Sequence, residues 1–199
     1  MFYITQPEVR PRGYVVLSTS AQWVRWLHHN IPREVHIAVR QRLSSNLKHL
    51  LVGMELKTAL IEPHQNRGRG EREVLFEPYF QNFILEFCVA AFSVLEGLGS
   101  AHWLAQNGQD GANGPAIFRN QWLPALTAVY DANGEHGLQG NVQSTLAVRD
   151  KLHQDRLGMR ENIDWHALSY DDAFMPGRRA IATLLLHEAE LVPAATNLR

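Results

Sequence analysis

Tyr79-Phe-Gln-Asn-Phe83-Ile-Leu-Glu-Phe87-Cys-Val-Ala-Ala91-Phe-Ser-Val-Leu95-Glu-Gly-Leu98 is the most apolar stretch of the chain, and its reading decides the fold class. Phe80, Phe83, Ile84, Phe87, Ala91, Val94 and Leu98 recur at three- and four-residue steps, the period of an α-helix face. Leu85, Val89, Phe92 and Leu95 fill much of the remaining circumference. A helix that is apolar nearly all round has to be covered on several sides. The spacing predicts a central helix over about Glu77–Gln106, surrounded by others in an all-α bundle. Glu86 and Glu96 interrupt the run Phe83–Leu98, which falls short of a bilayer span, so no membrane partner is expected.

Outward from this helix, the flanking segments repeat the helical period. Val35, Val39, Leu43, Leu47, Leu50 and Met54 predict a long amphipathic helix to about Glu62, with Asn30 and Pro32 as its start signal. Before it, Ser20 is placed to cap a short helix carrying Trp23, Trp26 and Leu27, with His28-His29 at its end. Residues 1–19, with two prolines and the run Tyr14-Val15-Val16-Leu17, read as an extended arm. His64 to Glu73 is glycine- and charge-rich and reads as a solvated loop. After the central helix, Asn107-Gly108, Asp110-Gly111 and Asn113-Gly114 form a break. Pro115 is placed to open a helix through Phe118, Trp122, Leu123, Leu126 and Tyr130, with Pro124 a possible kink. A helix over about Gly140–Gln154, an irregular segment 157–170 and a last helix over about Asp171–Leu191 complete the chain. The last of these starts on Asp171-Asp172, which suits the helix dipole, and turns Phe174, Ile181, Leu184 and Leu185 to the core. The expectation is one domain over residues 1–199, an arm (1–19) on a bundle (20–199) of five to six helices with long antiparallel members.

Bulk properties narrow the function. Of the 199 residues, 45% are hydrophobic and 20% charged, enough to build a core. The net charge of -1 creates no global field toward nucleic acid or anionic lipid, so any phosphate contact has to come from a local patch. The single cysteine, Cys88, excludes an intrachain disulfide and a cysteine-based zinc cluster. The N-terminal segment lacks the pattern of a signal peptide, which makes the cytoplasm the expected compartment. Phosphate-binding glycine loops and a G-x-S-x-G elbow are absent. Glu34/His36 and His187/Glu188 have the wrong spacing for a di-iron bundle site. No cofactor and no metal are implied. Trp103, Phe118, Trp122 and the central phenylalanines would be the lining of any small-molecule pocket, although their spacing reads first as core.

Leu146-Ala-Val-Arg149-Asp150-Lys-Leu-His153-Gln-Asp-Arg156 carries the chemistry. Arg149 and His153 stand one helical turn apart on a face shared with Val142 and Leu146, with Thr145 and Leu152 at its border. Asp150 and Lys151 point elsewhere. A buried cation is costly unless paired. Either a carboxylate such as Glu86 or Glu96 neutralises Arg149, or this face lines a crevice open to water and ligand.

Arg149-Asp150-Lys151-Leu152-His153 resembles the signature segment of HEPN domains, helical bundles in which an arginine, a polar residue and a histidine lie near the end of the penultimate long helix. The aromatic helix Tyr79 to Leu98 is similar to that family's central helix, and the resemblance runs from about Glu77 onward. It implies a homodimer whose two motifs meet in one cleft, acting as a metal-independent ribonuclease or an RNA-binding component of a defence or toxin–antitoxin system. Some members are silent and bind a cognate protein partner. On this resemblance Arg149 would stabilise charge developing on a phosphate, His153 would act as general acid or base, and Asp150 would be the polar residue. The family spaces arginine and histidine by four to six residues, whereas three intervene here. Arg160 and His166 form a second, family-spaced pair nearby.

Overall fold

A computed structural model of the protein describes residues 17–65, 79–112, 114, 116–151 and 164–199, without the side chains of 63–65. These residues form six α-helices and short single turns, with no strand: α1 Ser20–Asn30, α2 Ile37–Gln65, α3 Tyr79–Gln106, α4 Arg119–Tyr130, α5 Leu138–Asp150 and α6 Met175–Leu186. The all-α bundle expected from the periodicity is present.

Helix α3 is the axis of the bundle, packed by α2, α4, α5 and α6. Ile84, Phe87, Cys88, Ala91, Val94, Leu95 and Leu98 are each wholly buried, on positions that span the helix circumference. By length and composition α3 is, among the described residues, the helix able to cross a bilayer, contrary to the expectation from its shorter apolar run. Yet 61% of its most apolar window is buried under the other helices. Close crossing with α4 depends on Gly99. A Cβ there would stand 2.8 Å from Trp122 Cε3 and 2.9 Å from the Trp122 carbonyl, so only a hydrogen fits.

Helix boundaries depart from expectation in instructive ways. Thr19, not Ser20, caps α1: its hydroxyl accepts from Gln22 N at 3.3 Å while Thr19 N donates to Gln22 Oε1 at 2.8 Å. Asn30 is no start signal. It is the buried last residue of α1, its amide donating to the Trp26 carbonyl at 2.9 Å. Pro32 opens a turn, and α2 begins only at Ile37. Pro115 lies outside the described residues, and α4 begins at Arg119 with Phe118 as its cap. The last helix is shorter than expected: a π turn, Tyr170–Phe174, feeds α6, which stops at Leu186. Glu188 then takes a left-handed conformation (φ 53°). That break, where no glycine or proline stands, returns Val192 and Leu198 to the core.

Two buried polar arrangements have no counterpart in the hydropathy pattern. Glu55 of α2 is fully buried and receives Ser18 N at 2.9 Å and Ser18 Oγ at 2.6 Å, which fastens the entry of the chain onto α2. Residues 1–16 of the expected arm lie outside the described residues. At the other end, Tyr130 OH donates to Asn30 Oδ1 at 3.1 Å and meets His102 Nε2 at 3.1 Å. The rings of His102 and His187 both stand edge-on to Tyr130. This network joins α1, α3, α4 and the end of α6.

Candidate functional site

Helix α5 positions Arg149 and Asp150. Its buried residues are Leu138, Val142, Thr145 and Val148, at steps of four, three and three. Thr145, expected at the border of the stripe, is in its middle, and Arg149 follows Val148 at its edge. The side chain of Arg149 is 34% exposed and that of Asp150 is 45% exposed. The burial dilemma posed by the sequence is thereby resolved by exposure. Arg149 lines a crevice and is not a core cation.

That crevice is a groove of about 510 Å³ between α3, the start of α4 and the end of α5. Phe92 and Glu96 come from α3, Ile117, Phe118, Arg119, Asn120 and Trp122 from the entry to α4, and Leu146, Arg149 and Asp150 from α5. The guanidinium carbon of Arg149 sits 5.3 Å from the centroid of the Phe92 ring, within cation–π range. Arg149 Nη1 donates to Asp150 Oδ1 at 2.9 Å, so Asp150 shares the groove and does not point away from it. Glu86, one expected partner, is turned to Lys57 at 3.3 Å and accepts from Asn82 at 2.9 Å. Glu96, the other, lines the groove without an ion pair to Arg149. Phe92 and Trp122 pack edge to face at 5.7 Å and form the floor.

Of the aromatics named as a possible pocket lining, Trp122 is core and Trp103 is half-buried. Phe118 is 67% exposed at the mouth of the groove, which its helical spacing did not foretell. It is exposed because it caps α4 instead of continuing it, with its N–H donating to Gln121 Oε1 at 2.8 Å. Arg119, which sequence reasoning passed over, stands next to it. The turn signal Asn113-Gly114 ahead of Pro115 was the available clue that the helix starts later and exposes this pair.

His153 lies outside the described residues, as does Arg160. His166 sits on an exposed turn where its N–H donates to Asp164 Oδ1 at 3.0 Å. Cys88 is buried with its thiol aimed at the Ala173 carbonyl, 3.3 Å away, and burial pushes it up to about 12. It is a core residue and not a nucleophile. No protein-family model, characterised protein or solved structure matches the chain.

Proposed function

We propose that the groove beside Arg149 binds single-stranded RNA, and that the chain is a HEPN-like protein of a defence or toxin–antitoxin type that cleaves this RNA without a metal. One observation carries the reading: a guanidinium over an aromatic ring lies in a groove whose mouth presents a second arginine and an exposed phenylalanine. Arg149 and Arg119 suit phosphates, and Phe118 offers a face on which an unpaired base stacks. A chain of net charge -1 has to hold RNA through local cations, and in this groove Arg149 and Arg119 stand beside the carboxylates of Asp150 and Glu96. The phosphate contact therefore rests on the placing of the two guanidinium groups and not on an excess of charge.

Cleavage by the ribose 2′-hydroxyl requires a base to take that proton, an acid to protonate the departing 5′-oxygen, and a cation for charge gathering on the phosphoryl oxygens. In this proposal Arg149 is the cation and Asp150 fixes its guanidinium. His153 performs one proton transfer, and the second comes from the partner subunit's His153 in a homodimer. A second reading, a silent homodimeric interaction protein, is favoured by the partner Arg149 already has in Asp150 and by exposed Phe118, Leu186 and Ile37.

A single experiment separates them. Light scattering should give about twice 22.6 kDa. The dimer should cleave unstructured RNA in the presence of chelator, and His153→Ala should lose at least about 100-fold in rate while remaining folded. A clean monomer removes the shared-cleft mechanism. No cleavage of any RNA by the purified dimer leaves the interaction protein as the better reading.

A further inference from the structure

A second cavity of about 340 Å³ adjoins the Arg149 groove, with Glu96 and Ile117 lining both. This cavity lies where α2 crosses α3 at Gly97, so close that a Cβ there would meet Leu43 Cδ1 at 3.0 Å. On the α2 side Arg42 and Asn46 stand one turn apart. On the α3 side Glu96 and Ser100 do the same. Leu104 and Ile117 supply apolar surface between them. Arg42 and Glu96 make no ion pair with one another although they line one cavity. Neither side chain has another ion-pair partner among the described residues, so both are left to meet a ligand in the cavity.

Resting on the RNA reading above, we propose that this cavity is a base pocket selective for guanine. A carboxylate in a groove for RNA opposes phosphate. Asp150 is compensated by Arg149, whereas Glu96 has no partner among the described residues. It gains one if it faces the donor edge of a base. Guanine presents two adjacent donors, N1–H and the N2 amino group, to a carboxylate that can accept both at once. Its opposite edge carries the acceptors O6 and N7, the pair an arginine fork matches. Uracil offers one N–H between two carbonyl acceptors, which the carboxylate repels. Adenine and cytosine each offer an amino group beside a ring acceptor, so neither satisfies both oxygens. Unstacked single-stranded RNA leaves both edges of the base free to be read. The apolar surface of Leu104 and Ile117 takes the face of the ring, and the cavity is of small-molecule size. A strand seated this way places the phosphate next to the guanine in the neighbouring Arg149 groove, so the pocket selects which phosphodiester is presented.

Fluorescence anisotropy with the full-length protein tests it, using oligouridylates identical except for one central residue. The guanine oligomer should bind about tenfold or more tighter than the all-uridine one, the scale of one good bidentate base contact. Replacing guanine by inosine, which lacks the N2 amino group, should lose most of that margin. In Glu96→Gln the ratio of guanine to uridine affinity should fall to about one. Glu96 is exposed, and circular dichroism verifies that the variant folds. Equal binding of all the oligomers by the wild-type protein overturns the guanine pocket and leaves the RNA reading standing. Binding of none of them overturns both.

Discussion

His102 provides a quantitative probe of the network that ties α1, α3 and α4 together. Burial first, and the nearby charge of His187 second, lower its imidazole from 6.5 to about 4, against a hydrogen bond to the backbone of Asn30. The neutral ring is the form that fits, with Nε2 able to donate to a Tyr130 oxygen that itself donates to Asn30. As pH falls, the unfolded chain takes up this proton near 6.5, long before the folded chain does near 4. Stability from the neutral imidazole is therefore intact above about 6.5 and is lost progressively as pH falls toward 4. Linkage over that interval gives a loss of about 2 kcal/mol by pH 5 and about 3 kcal/mol by pH 4. Guanidinium denaturation at intervals from pH 7.5 to 5 should show the wild type losing about 2 kcal/mol more than His102→Gln, which cannot titrate but retains a donor toward Tyr130. Parallel stability curves for the two proteins, within about 0.5 kcal/mol at every pH, would refute the assignment of a buried neutral imidazole.

Three further substitutions test the packing and the groove. Arg149→Ala removes an exposed ion pair and a cation–π contact, together about 1–2 kcal/mol. A cost above about 3 kcal/mol on chemical denaturation would instead mark a buried ion pair and close the groove. Gly99→Ala forces a methyl group against the Trp122 ring and carbonyl and should cost about 1–3 kcal/mol by overpacking. Gly140→Ala meets nothing within 4 Å in α5 and should gain roughly 0.5–1 kcal/mol in the same assay.

The hydropathy of Tyr79–Gln106 was sufficient for the central helix and for the all-α class, because an apolar surface on every side of one helix has few ways to be buried. The same pattern placed Trp23, Trp26, Leu47, Met54, Trp122, Leu126, Ile181 and Leu184 in the core, where they are found. Local chemistry failed where long-range contacts compete with it. Asn30 reads as a helix start because its side chain can cap, but Trp26 and Tyr130 already occupy that side chain. The stop of α6 at Leu186 has no local breaker, and it is the packing of His187 on Tyr130 and of Val192 and Leu198 on the core that ends it. For the site, the helical spacing put Arg149 near an apolar face, yet periodicity alone cannot tell a core cation from one at a rim. That distinction came from the packing of α5 on the bundle, which buries Thr145 and Val148 and leaves Arg149 over Phe92. Arg119, Phe118 and Glu96 joined the groove for the same reason: they are distant in sequence, and only the crossing of α3 with α4 and α5 brings them together.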